Sequence, residues 1–126
     1  MPTSPLFQRN ELLIGAEAVD ALARTRVLLF GVGGVGSWCA EGLVRSGIGR
    51  VVLVDPDVVA ITNVNRQLQA LPSTVGRVKV DELADRLRAI NPDADIVAHA
   101  TAYGIDTQDA YDLPSHHYVL DAIDSL

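Results

Sequence analysis

Residues 26–55 read RVLLFGVGGVGSWCAEGLVRSGIGRVVLVD, and the reading of this stretch decides the fold. It opens on an aliphatic run, RVLLFGV at 26–32, and closes on another, RVVLV at 50–54. Continuous runs without polar alternation predict strands buried on both faces. Between them Val35, Cys39 and Leu43 recur at helical spacing, and Gly47 and Gly49 stop the predicted helix. The turn leaving the first strand, Gly31-Val32-Gly33-Gly34-Val35-Gly36, fits G-x-G-x-x-G between a predicted strand and a predicted helix, the context that gives the pattern weight. Glycine permits the tight turn and removes the Cβ that would block a phosphate. The amides at the helix N-terminus then face the anion, helped by the helix dipole. Asp55, 19 residues beyond Gly36, ends the second strand, where a carboxylate can accept hydrogen bonds from ribose hydroxyls. These residues predict a nucleotide without choosing among NAD, FAD and ATP. The competing reading is a glycine turn that serves only close helix–strand packing.

Working outward, DIVAH at 95–99 and HYVLD at 117–121 read as weaker strands. A helix over roughly 76–90 buries Val80, Leu83, Ala84, Leu87 and Ile90 and ends at Asn91-Pro92. A further helix near residues 16–24 uses Val19, Leu22 and Ala23. Strands alternating with helices imply parallel pairing and right-handed crossovers. The predicted fold class is α/β: a Rossmann-like, doubly wound, mostly parallel sheet in the order strand–helix–strand–helix–strand–helix–strand. The fourth strand is expected beside the first.

Composition bounds the function. The 126 residues suit one domain, and 48% hydrophobic with 21% charged residues is ordinary globular usage. No apolar run approaches the ~18 residues of a membrane span. MPTSPLFQRNELL lacks the pattern of a secretory signal, so the expected location is cytoplasmic. A single cysteine, Cys39, excludes an intramolecular disulfide and a zinc site built on paired cysteines. Cys39 and Trp38 are both expected to serve packing. His116 and His117 are adjacent on a predicted strand and point to opposite faces, which argues against a shared metal, and His99 is uninformative. Residues 1–80 hold eight Lys/Arg against six acids, whereas residues 81–126 hold two against ten. The basic half carries the glycine turn, which suits a phosphate ligand and gives no support to a broad nucleic-acid surface.

Two further segments refine the ligand. Residues 62–71, TNVNRQLQAL, form a polar cluster after the second strand, at the carboxyl edge where such sheets bind ligands. Asn65, Arg66 and Gln67 supply donors, Arg66 offers a two-pronged grip on phosphate oxygens, and Lys79 adds a point charge early in the next helix. Two cations aimed at one site fit a triphosphate better than a bridging diphosphate; the alternative is two ordinary surface cations. After the fourth strand comes Asp121-Ala122-Ile123-Asp124. A carboxylate there can hold Mg²⁺ together with water and phosphate oxygens. The alternative is a pair of solvated loop acids or a helix cap, which suits Asp121 better than Asp124.

The chain resembles the ubiquitin-activating-enzyme-like adenylating superfamily of ThiF, MoeB and HesA proteins. The stretches that carry the resemblance are FQRNELLIG (7–15), FGVGGVGSWCAEGLVRSGIG (30–49), LVDPDVVAITNVNRQLQAL (53–71), TVGRVKV (74–80), RLRAINP (86–92) and YVLDAIDS (118–125). Within the superfamily, Ser37-Trp38, TNVNRQ and DAIDS resemble the group of tRNA threonylcarbamoyladenosine dehydratases (TcdA/CsdL type). The resemblance implies that Gly31, Gly33, Gly34, Gly36, Asp55, Asp57, Asn65, Arg66, Gln67 and Lys79 bind ATP. It gives Arg66, Lys79 and Asp124 catalytic roles, with Asp124 as the Mg²⁺ ligand. Arg9 matches an arginine that extends to the nucleotide of the partner subunit in a homodimer.

The implied chemistry is adenylation of a carboxylate by Mg·ATP, that of threonylcarbamoyladenosine in tRNA, with ring closure expelling AMP. In sulfur-carrier relatives the carboxylate is the C-terminus of a ubiquitin-like protein, which makes such a carrier or sulfur-transfer partner an alternative. An NAD-binding oxidoreductase domain shares the glycine turn but leaves Arg66, Lys79 and Asp124 unexplained together. A non-catalytic nucleotide-binding module is the remaining reading. Family members continue beyond the Mg²⁺ aspartate. Residues 1–126 are therefore expected to be the N-terminal, ATP-binding part of an adenylation domain. Expressed alone they are expected to self-associate and to lack the acceptor site.

Overall fold

Runs of Val, Leu and Ile with no alternating polar residues can be stable only in the middle of a layered structure. The computed structural model describes residues 3–104 and 108–124. Four strands form one parallel sheet: β1 (Arg26–Phe30), β2 (Arg50–Val54), β3 (Asp95–His99) and β4 (Tyr118–Asp121), in the order β3-β2-β1-β4. In register, Val27 lies opposite Val51 and Tyr118, and Phe30 opposite Val54 and Asp121. The expected neighbouring of first and fourth strands therefore holds, and all pairs are parallel.

Helices α3 (Gly34–Arg45) and α4 (Lys79–Ile90) cover one face of the sheet. Val27, Leu29, Val51, Leu53 and Ile96 meet Ala40, Val44, Val80, Leu83, Ala84 and Leu87 there. As the α4 pattern predicts, Val80, Leu83, Ala84 and Leu87 are fully buried and Ile90 partly so. The helix starts three residues later than the expected 76, with Val78 extended at its N-cap. On the other face Leu28, Phe30, Val52 and Val54 pack with Tyr111, Val97 and Leu113.

Two expectations need correction. The buried stripe of α3 is Gly36, Ala40 and Val44 with Ser37 and Glu41, not Val35, Cys39 and Leu43. Val35 is 75% exposed, and Cys39 and Leu43 are only partly buried. The cause is steric: a Cβ on Gly36 would stand 1.7 Å from the Gly31 carbonyl oxygen, so only a glycine face can settle onto β1. No third crossover helix is found among the described residues. Instead, 3-10 turns at Gln108–Tyr111 and Leu113–Ser115 lead into β4. This segment has no apolar repeat, and Pro114 has no amide to donate. The N-terminal region holds α1 (Gln8–Ile14), which the apolar pattern does not announce, and, across Gly15 with φ +88°, α2 (Ala16–Ala23), the helix expected near residues 16–24. Among the described residues no helix is long and apolar enough to cross a membrane.

An ion triad ties α3 to α4. The nearly buried Glu41 carboxylate accepts from Arg86 Nε at 2.6 Å and pairs with Arg45 Nε at 3.3 Å. Burial raises the Glu41 carboxyl, but the hydrogen bonds and charges of Arg86 and Arg45 outweigh it and hold the group below its ordinary value. Because the folded value is depressed, the stabilisation is present above the unfolded value and is lost as pH falls through the folded one. The guanidiniums are half-exposed, so the triad's contribution is discounted for screening. Glu41→Gln is expected to lower stability by about 1 kcal/mol at neutral pH. The deficit should shrink as pH falls below the ordinary carboxylate range, read by urea unfolding at a series of pH values.

Candidate functional site

The C-terminal ends of β1, β2 and β4 open into one crevice. Its walls are Phe30, Gly31, Gly33, Val54, Asp55, Pro56, Asp57, Gln67, Lys79, Thr101, Ala102, Tyr103, Ala122, Ile123 and Asp124. It offers about 700 Å³, counting the part that opens to solvent.

The floor is the glycine turn. Gly31 has φ +89°, and a Cβ on it would stand 2.6 Å from the Ala122 carbonyl, where the loop after β4 crosses. In the first turn of α3 the opening bond runs from Ser37 N–H to the Gly33 carbonyl. The amides of Gly34, Val35 and Gly36 therefore have no partner within the helix, the arrangement that favours an anion. A side chain on Gly33 would start 3.5 Å from Gln67 Nε2 and 4.0 Å from Asp124 Oδ2. The missing Cβ thus leaves a gap bounded by an amide and a carboxylate.

Asp55 has a second duty that its spacing does not announce. One carboxylate oxygen accepts from Val32 N–H at 2.9 Å and the other from Asp57 N–H at 2.9 Å. It thereby ties the glycine turn to the loop after β2. Lys79, the first residue of α4, is buried rather than a surface cation. Its amide donates to the Asp57 carbonyl at 3.1 Å, and its ammonium lies 3.8 Å from Asp57 Oδ2. Gln67 is also buried, and its Oε1 has no hydrogen-bond partner among the described residues.

The polar segment is held by α3. Trp38 Nε1 donates to the Arg66 carbonyl at 2.9 Å, and Leu68 N–H donates to the buried Ser37 Oγ at 3.2 Å. Trp38 is half-exposed, so the packing role expected for it gives way to a hydrogen bond that anchors residue 66.

Seven of the residues singled out in the sequence therefore meet at the crevice: Gly31, Gly33, Asp55, Asp57, Gln67, Lys79 and Asp124. Gly34 and Gly36 lie beneath it in the turn. Arg66 sits over Gly34, its stem 3.5 Å from where a Cβ would be, but its guanidinium bonds the Thr62 carbonyl and Asn65 Oδ1 outside the lining. Asn65 is exposed and serves that bond. Arg9 is exposed on α1, away from the crevice walls. Asp121 accepts from Ile123 N–H at 3.0 Å, a local loop role. His117 precedes β4 rather than lying in it, and its Nδ1 accepts from Arg26 N–H. His99 stacks edge-on to Tyr111. Ser125 of the DAIDS motif lies outside the described residues.

Sequence reading missed the aromatic wall. Phe30 and Tyr103 have ring centroids 4.3 Å apart, and Tyr111 packs edge-on to Phe30 at 5.7 Å. Tyr111 and Thr101 share a short hydroxyl–hydroxyl bond. Tyr103 and Tyr111 belong to a non-periodic segment, so no sequence pattern marks them.

Sheet order, parallel pairing and glycine turn together define a Rossmann-like α/β unit. The ThiF family pattern matches residues 7–126, and the chain belongs to that family. It is 49% identical over 120 residues to the tRNA threonylcarbamoyladenosine dehydratase of Bacillus subtilis, covering 95% of this chain and 47% of that protein. To the molybdopterin-synthase adenylyltransferase of Escherichia coli it is 36% identical over 122 residues, covering 95% of this chain and 49% of the relative. A crystal structure of E. coli tRNA N6-threonylcarbamoyladenosine dehydratase, TcdA, in complex with ATP superposes with a TM-score of 0.93 at 38% identity. That match covers 99% of this chain and 53% of the solved one. The chain thus spans about half the length of the relatives it matches.

Removing the Asp55 carboxylate strands two amides at once. Asp55→Ala is expected to cost about 2–3 kcal/mol of stability, on the scale of hydrogen bonds to a charged group, measured by chemical denaturation. A loss below about 0.5 kcal/mol would show that the turn does not depend on it.

Proposed function

We propose that this chain is the nucleotide-binding part of an ATP-dependent adenylating enzyme acting on threonylcarbamoyladenosine in tRNA. The single observation that carries the reading is the convergence of an open helix N-terminus, the buried Lys79 and the Asp124 carboxylate on one crevice. The 49% identity to a named dehydratase supports this acceptor over a carrier-protein C-terminus, toward which the 36% relative points.

In this reading the carboxylate of the modified nucleoside attacks the α-phosphorus of ATP. The bond to the bridging oxygen breaks, pyrophosphate departs, and an acyl-adenylate results. Ring closure at the acyl carbon then expels AMP. No protein nucleophile is required. The chain's part is positional and electrostatic. The turn amides of Gly33, Gly34 and Gly36 face the phosphates, Lys79 neutralises them, and Gln67 offers its amide beside Gly33. Asp55 and Asp57 lie where ribose hydroxyls bind. Arg66 and Asn65 take part only through a rotamer change that turns the guanidinium toward Gly34.

Asp124 would hold Mg²⁺. The donor set fits: one exposed hard carboxylate faces the gap at Gly33, and phosphate oxygens and water complete such a shell. The ion supplies charge neutralisation on the triphosphate. The exposed Leu12 and Leu13 of α1 support a homodimer in which Arg9 serves the partner's site. The setting is cytoplasmic, and the acceptor groove belongs to the remainder of the fold.

Lys79→Ala in the full-length protein is expected to weaken Mg·ATP binding by about 1.5–3 kcal/mol, and Arg66→Ala by less. Titration calorimetry with ATP and NAD in turn checks it. Preference for NAD, or unchanged ATP affinity in Lys79→Ala, overturns the reading. Asp124→Asn is expected to abolish ATP–pyrophosphate exchange with modified tRNA while leaving the melting temperature unchanged. Normal exchange at low Mg²⁺ would remove Asp124 from the metal site.

A further inference from the structure

Gln69 belongs to the segment after β2 yet is buried, with 4% of its surface exposed. Its Nε2 donates to the Val32 carbonyl at 2.8 Å, while its Oε1 has no partner among the described residues. Gln69 is itself anchored, because Thr74 Oγ1 donates to its carbonyl at 2.8 Å. A buried amide that satisfies only one of its polar atoms is costly, and an apolar side chain would fill the same space without that cost. The one bond it makes therefore asks for an explanation beyond packing.

The explanation lies in the peptide that Gln69 grips. The Val32 carbonyl and the Gly33 N–H belong to the same planar trans unit, so they point in opposite directions. Holding the carbonyl toward Gln69 turns the Gly33 amide the other way. Gly33 lies in the crevice wall beside Gln67 and Asp124. The preceding peptide is fixed independently, since Val32 N–H donates to Asp55 Oδ2. Val32 is thus clamped at both ends by two side chains from different parts of the chain. Its neighbours are both glycines, which by themselves allow many peptide orientations.

We propose that Gln69 is a positioning residue that aims the Gly33 amide at the phosphates of the bound nucleotide. It touches no reacting atom and acts only through the orientation of the Val32–Gly33 peptide. The inference rests on the ATP reading given above, and it makes a prediction that reading does not. Loss of the clamp should harm recognition of phosphate and spare recognition of the nucleoside. A role in general stability would weaken both together.

The test is titration calorimetry of ATP and of adenosine against the full-length protein and Gln69→Met, which keeps the length and removes the donor. The expected result is an ATP affinity lowered about five- to tenfold, the scale of a lost buried bond and a smaller population of the competent turn. Adenosine affinity should stay within about twofold of the parent, inside the range of surface-neutral effects. Unchanged ATP affinity, or equal losses for ATP and adenosine, overturns the proposal. If Gln69→Met does not fold, Gln69→Leu, which also removes the donor, is read by the same criteria. A parent protein that fails to bind ATP at all overturns the ATP reading instead, and is distinguished from failure of the clamp by that first titration.

Discussion

The contact on which the rest depends is the seat of α3 on β1, where the Gly36 backbone passes so close to the Gly31 carbonyl that no side chain can intervene. That contact fixes the rotation of the helix. It sends Ala40 and Val44 inward, exposes Val35, and brings the three free amides of the first turn to the end of the sheet. At the same point the loop after β4 crosses Gly31, whose positive φ and lack of Cβ admit it. The constraint that packs the domain is therefore the one that builds the anion-receiving turn. The packing reading of the glycines and the ligand reading describe the same atoms.

From that seat the site is assembled by hydrogen bonds from residues far apart in the chain. Ser37 and Trp38, on the first turn of α3, hold the backbone of residues 66 and 68. This sets Gln67 against Gly33 and Gln69 beneath Val32. Asp55 reaches back to Val32 and forward to Asp57, whose carbonyl and carboxylate both meet Lys79. Lys79 is buried among these groups, where its charge is less screened than a surface cation's would be. The result is a crevice floor with a cationic and an anionic side set close together.

Much of the frame could be read from residues 26–55 alone. Two uninterrupted aliphatic runs separated by a helical pattern leave few alternatives to a right-handed parallel unit, and the glycine spacing locates the site within it. Lys79, Gln67 and Asp124 were legible because each follows a recognisable element boundary. Arg66 was legible as a cation but not as one whose guanidinium rests on Thr62 and Asn65. The rotation of α3 is set by the close approach of Gly36 to Gly31, a steric demand that the spacing of Val35, Cys39 and Leu43 does not record.

By itself, then, the sequence determined the strands, their parallel order, the position of the phosphate-ready turn and the family of the chain. The strands and the turn follow from local pattern, the period of apolar residues and the positions where only glycine fits, whereas the family rests on the resemblance of whole stretches such as FQRNELLIG and TNVNRQLQAL. Tertiary structure alone decided which side chains meet. The bonds of Asp55 and Gln69 to Val32, the anchoring of Arg66 by Trp38, and the contacts of Phe30 with Tyr103 and Tyr111 join residues between 23 and 81 positions apart. No periodicity records such pairs, because hydrogen-bond partners and ring contacts are set by where whole elements come to rest.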